Sequence, residues 1–181
     1  MWWLWKGHKL TTIIDGTAGI TFPVVAGSAS AVQASSGRVL QVVNATYAIE
    51  VTTSSNTLSD TGLTASITPS NVTSKILCIV DMAGVAKDSG NTSTNLGFYL
   101  LRGSTQIIQF EYTATFTGTS IQNRIGSVST NYLDSPSTTS ATTYKVQFNS
   151  NGGNGTGAVQ RGSGGSGTSA TSTITLMEIA A

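Results

Sequence analysis

The chain has 181 residues with one cysteine, one histidine and a formal net charge of +1. Only 9% of its residues are charged, against about 25% in an ordinary globular domain, and no basic cluster is long enough to give the electrostatic footprint of a nucleic-acid binder or of a protein drawn to an anionic membrane. A chain of this length buries enough surface to need no disulfide or metal staple, and no stretch reaches the roughly 18–20 apolar residues of a membrane span, so no membrane insertion is expected.

Residues 1–10 hold all three tryptophans within the first five positions. Trp2, Trp3, Leu4 and Trp5 precede Lys6, His8 and Lys9, the reverse of the charge order in a secretory leader, so no signal peptide is expected. A short segment so rich in indole suits an anchor, its aromatics seated in a pocket on a partner or a neighbouring subunit. Residues 11–38 are β-type pieces broken by glycine and proline every few positions, too poor in apolar residues for a private core. They read as an extended, fibre-like linker.

From residue 39 to 181 the pattern is that of one compact domain. Val39–Val43 leads into a segment in which Tyr47, Ile49 and Val51 alternate with Thr46, Glu50 and Thr52, the two-residue period of a half-buried strand. Leu63, Ala65 and Ile67 alternate in the same way until Pro69, which cannot donate to a ladder. The run Ile76-Leu77-Cys78-Ile79-Val80, between Lys75 and Asp81, is the most core-like stretch and predicts a central strand buried on both faces. Residues 84–94 read as a loop. Leu96–Leu101 and Gln106–Tyr112 flank Arg102-Gly103-Ser104-Thr105 as a β-hairpin. Weaker strands follow over 121–134, then a strand with Tyr144, Val146 and Phe148 inward. Residues 149–169 read as a Gly/Ser/Asn loop, and 171–179 as the closing strand. About eight strands, no helical stripe of ten residues and no Cys…Trp…Cys signature predict an all-β fold: a single jelly-roll-like antiparallel β-sandwich preceded by an N-terminal anchor and linker.

Two resemblances bear on function. Asp15-Gly16-Thr17-Ala18-Gly19-Ile20-Thr21-Phe22-Pro23 resembles a motif of bacteriophage tail-fibre proteins, where it lies in the fibrous part before a terminal domain. Further on, six landmarks stand in order: Leu63–Ser70, Ser74–Leu77, Leu101–Thr105, Tyr132–Pro136, Tyr144–Gln147 and Thr175–Ala180. Together they resemble terminal β-sandwich domains of fibre and other virion proteins of phages, many from marine and cyanobacterial hosts. The resemblance implies a virion structural protein and a homotrimer; the Trp-rich start departs from the family pattern, and attachment to other virion proteins through the N-terminus is expected from its tryptophans alone. On that view the protein is a tail-fibre or spike component touching host surface glycan. The alternative is a capsid-decorating or head-fibre protein anchored to the shell.

The residues offer little for catalysis. His8, in the terminal segment, cannot join a Ser-His-Asp or Cys-His arrangement inside the domain, and a zinc site would lack nitrogen and sulfur ligands. A polysaccharide depolymerase would need two acids across a groove, among Asp15, Glu50, Asp60, Asp81, Asp88, Glu111, Asp134 and Glu178, and the chain has no β-helical repeats to build one. Gly162–Gly167 matches G-x-G-x-x-G by composition alone, with no strand–helix unit around it. No catalytic residue, metal or cofactor is therefore expected. Arg102, Arg124 and Tyr132 are candidate ligand contacts, with ordinary strand-edge roles as their competing explanation. The 149–169 loop is a further candidate for recognition, and Asp134 before Ser135-Pro136 reads as a turn.

Overall fold

The computed structural model describes residues 13–15, 19–21, 36–90, 92–152, 155–162 and 165–181, which fall into two compact units divided after Ser35. In the first unit, β1 (Ile13–Asp15) pairs antiparallel with β2 (Gly19–Thr21), Ile14 opposite Ile20.

The second unit is built from β3 (Val39–Tyr47), β4 (Val51–Thr53), β5 (Ser59–Ile67), β6 (Lys75–Lys87), β7 (Asn95–Arg102), β8 (Thr105–Ala114), β9 (Asn123–Asp134), β10 (Thr142–Asn151), β11 (Gly157–Val159), β12 (Arg161–Gly162), β13 (Gly165–Ser169) and β14 (Ser172–Ile179). The eight long strands among them form two antiparallel sheets, ordered β3-β14-β6-β9 and β5-β10-β7-β8. Counted along the chain as one to eight, the sheets read 1-8-3-6 and 2-7-4-5. Only the β7–β8 hairpin stays within a sheet; every other connection between the long strands crosses the sandwich. This is the wiring of a jelly roll. The short strands β11 and β4 extend the first sheet beside the far end of β6.

Alternation along each strand places the core. In the first sheet Val43, Leu176, Cys78 and Tyr132 lie side by side in one row, followed by Ala45, Ile174, Val80 and Thr130. Facing them are Leu63, Ala65 and Ile67 of β5, Tyr144, Val146 and Phe148 of β10, and Leu96, Phe98 and Leu100 of β7. Phe98 stacks on Phe148 with ring centroids 6.0 Å apart. Each fully buried Leu, Ile or Phe contributes about 1.5–3 kcal/mol before the entropy of ordering it is counted. Cys78 is one of these core side chains; burial, reinforced by the charge of Asp134, pushes its thiol up to about 12.

The central run is where expectation and structure part. β6 is central, paired with β14 on one side and β9 on the other, but only one of its faces is covered. Ile76, Cys78 and Val80 are shut in the core, whereas Ile79 is 40% exposed. The sandwich lays a second sheet over one face only, so an unbroken apolar run here marks an apolar outer surface rather than double burial. The expected loop at 84–94 is also displaced, because β6 continues to Lys87. Gly84, at φ +63°, lets the strand bulge instead of stopping, and the register with β9 shifts around it. Beyond the bulge Val85, Ala86 and Lys87 are buried. The Lys87 ammonium donates to the Thr94 carbonyl at 3.1 Å, and burial lowers its pKa.

Three smaller corrections follow the same logic of long-range pairing. The alternation through Tyr47, Ile49 and Val51 is split between β3 and β4, leaving Ile49 67% exposed; β3 pairs with β14 while β4 pairs with β11. The stretch 149–169 contains the end of β10, then β11, β12 and β13, and Ala158 and Val159 are fully buried. Asp134 ends β9 instead of opening a turn.

Candidate functional site

The bulge at Gly84 creates the most chemically distinctive place in the described residues. A side chain at Gly84 would put its Cβ 2.3 Å from the backbone N and O of Arg161. That close approach is secured by the Gln160 N–H donating to the Ala83 carbonyl at 2.8 Å. Arg161 is thereby laid across the bulge. Its guanidinium donates to Glu50 Oε1 at 2.5 Å and pairs with Asp88 Oδ2. Asp88 is also 3.6 Å from Arg124, and Arg124 donates to the Gly162 carbonyl at 3.3 Å. Arg124, Arg161 and Gly162 line a cleft of about 280 Å³ together with Gly84, Val85 and Ala86 of β6.

Two guanidinium groups face two carboxylates, and Glu50 and Asp88 both direct oxygens at Arg161. Arg161 is almost wholly enclosed, whereas the Arg124 side chain is 44% exposed. Arg124 is therefore the member that offers donors to solvent, in the planar fork that suits carboxylates and vicinal hydroxyls. Glu50, Asp88 and Arg161 carry no local sequence signal: they lie on separate elements and meet only through the wiring.

The other two ligand candidates lie elsewhere. Arg102 donates to Asp134 Oδ2 at 2.8 Å and Oδ1 at 3.1 Å, and to the Ser135 carbonyl at 3.2 Å. The fully buried Tyr144 hydroxyl donates to the same Asp134 Oδ2 at 2.7 Å. Burial, then the hydrogen bond and charge of Asp134, push the Tyr144 phenol well above its ordinary range. Arg102 thus closes a polar network at the rim of the core. Tyr132 packs its ring against the core. Arg124 and Tyr132 are eight residues apart on β9, about 27 Å along the strand, so the three candidates form no common site. Trp2, Trp3, Leu4 and Trp5 lie outside the described residues.

A second buried network stands beside the first. Glu178 is fully buried. One carboxylate oxygen accepts from the Ser70 N–H at 2.7 Å and hydroxyl at 2.6 Å, and the other from Gln41 at 2.6 Å. Burial alone would raise its pKa. The bonds from Gln41, Ser70 and Ser74 outweigh it and hold the carboxyl at about 2. Glu178 and Asp134 flank Ile76 in one row of the first sheet, so both carboxylates sit at the same end of the sandwich. Among the described residues no group of three or more His, Cys, Asp or Glu side chains is placed to hold a metal ion, and no helix is long and apolar enough to cross a membrane.

No protein-family model matches the chain, and no curated protein sequence does. Solved structures with some likeness include a mutant VP2 protein of infectious bursal disease virus in derived T=1 particles, at 17% identity and a TM-score of 0.35 over 98% of this chain and 44% of that one. Another is the structure of the Gx strain of infectious bursal disease virus, at 15% identity and a TM-score of 0.33 over 95% of this chain and 43% of that one. The chain spans less than half the length of either. At these scores the likeness carries no conclusion about function.

Proposed function

We propose that the chain is a virion structural protein, a homotrimeric tail-fibre or spike component whose jelly roll contacts the host surface and whose N-terminus attaches it to the particle. The observation that carries this reading is where the six phage-like landmarks fall. They are scattered from Leu63 to Ala180, yet they supply Ser70, Ser74 and Glu178 to one buried network and Arg102, Asp134 and Tyr144 to the other. The two networks share a row around Ile76. The landmarks are thus the residues that clamp one end of this sandwich, which supports reading them as the signature of one kind of terminal domain. Residues spent on clamping a rigid knob favour a binding or structural role over a catalytic one. Trp2, Trp3, Leu4 and Trp5 are the proposed virion anchor, and Arg124 the proposed contact for host surface glycan, with its neighbours holding it in place.

Peptide mass spectrometry of gradient-purified particles tests the reading. The chain should band with the particles and be released when residues 1–10 are deleted; its absence from particles would refute the proposal. A shell position, the alternative, shows as a high copy number per particle, and a tail position as a low one. Incubation with host polysaccharide should release no new reducing ends; their appearance would make the chain a depolymerase.

A further inference from the structure

We infer that the outer face of the β3-β14-β6-β9 sheet is a self-association surface that packs against the same face of a second copy of the chain. The register sets four apolar residues in a line across the whole sheet: Val42 opposite Met177, Met177 opposite Leu77, and Leu77 opposite Leu133. Val42 is 55% and Leu133 53% exposed. The adjoining rows add Val39 with Ile179 and, on β6, Ile79. The core lies on the opposite face of this sheet.

The outer face of the other sheet is different in kind. Asp60 pairs with Lys145 at 2.8 Å and accepts from Gln147 at 2.8 Å, and Ser66 shares a hydrogen bond with Thr143. Of the apolar residues that β7 turns to that side, Tyr99 and Leu101 are buried, at 8% and 4% exposure, so they form no open line. A continuous exposed apolar band of this kind is the mark of an interaction surface.

Charge and size select a second copy as the occupant. In the rows from Lys75 to Asp81 the outward charges are that one lysine and that one aspartate, at opposite ends of the β6 segment and about 20 Å apart. The apolar line between them is uncharged, so the face has no net charge to repel a copy of itself. A two-fold axis across the strands, along the line itself, stacks the line on its own image and sets Lys75 nearer to Asp81 of the copy than to Lys75 of the copy. Such self-complementarity is what an isologous contact requires, and two sheets stack face to face about 10 Å apart. Four strands ~4.8 Å apart and nine residues long give a plan area of about 600 Å². Side-chain relief raises the accessible area toward the ~800 Å² that each partner buries in a standard interface.

Sedimentation equilibrium of the full chain tests the inference, with V42K/L133K as the variant. Both positions are more than half exposed and lie on edge strands of the sheet, where lysine is well tolerated. The wild-type mass should be twice that of the variant, with equal melting temperatures. Dimer falling to monomer would show the pairing and refute the homotrimer. Hexamer falling to trimer would support both. Equal masses would overturn the pairing, whether the face is bare or belongs to another protein. A second variant does not depend on tolerance of the lysines. V42C/L133C should be trapped as a covalent pair by a short bismaleimide, because Cys78 is fully buried; recovery of single chains only would overturn the inference.

Discussion

Replacing Glu178 by glutamine removes one negative charge and almost no volume, so the change isolates the electrostatic role of a fully enclosed carboxylate. On folding, its pKa falls from the ordinary 4.5 to about 2, which stabilises the native state at neutral pH by about 3 kcal/mol. The amide of E178Q also turns a second donor toward Gln41 or Ser70, where only acceptors fit. We expect a loss of about 3 kcal/mol at pH 7, and a fall in melting temperature of roughly 6–12 °C. The sign with pH is fixed by the direction of the shift. A carboxyl with a lowered folded pKa contributes fully above 4.5, and that contribution drains away as the pH falls toward 2. Urea titrations of both proteins at pH 7, 4 and 2.5 should therefore show a wide gap that narrows in acid. A gap below about 1 kcal/mol at pH 7, or one that stays constant down to pH 2.5, would refute this account.

Gly84 and Gly126 form a matched pair, both at positive φ. Gly126→Ala meets no atom within 4 Å and should cost only about 1 kcal/mol of backbone strain. Gly84→Ala drives a methyl into Arg161 and should cost several times more in denaturant; equal costs would refute the close packing of β12 on the bulge. Tyr144→Phe should cost about 1.5–3 kcal/mol by removing a hydrogen bond to a charged group. In the wild type one tyrosine should resist ionisation in ultraviolet titration. Because folding raises its pKa, the stability it contributes is intact below pH 10 and drains as the pH rises further. A full set of ordinary phenol titrations in the folded protein would contradict the network. Cys78 should react with a thiol reagent no faster than the protein unfolds; rapid labelling under native conditions would contradict its place in the core.

Much of the sandwich was legible because a strand's alternation is a local property. Leu63, Ala65 and Ile67, and again Tyr144, Val146 and Phe148, declare their inward face within six residues, and the structure buries all six. What stayed hidden depended on partners far along the chain. Nothing near Gly84 says that the strand bulges and continues, because the reason is the backbone of Arg161 pressed against it. Glycine and serine made the stretch after Asn151 look structureless, although Ala158 and Val159 are enclosed between β6 and β4. The Glu50–Arg161 contact joins residues 111 apart. Periodicity alone likewise could not tell a strand buried on both faces from one with an apolar outer side, and Ile79 shows that difference.

The position of β14 has a consequence for biosynthesis. It lies between β3 and β6, and the Gly37 and Ala180 N–H groups tie the domain's first and last segments together, at 2.7 and 2.8 Å. β14 leaves the ribosome after every strand it touches, so until then β3 lacks its ladder partner and one side of β6, over Lys75–Asp81, stays open. A nascent chain halted before residue 172 should remain bound to chaperones or precipitate instead of folding in part. The domain closes in one late event, when its final segment threads into the middle of the sheet.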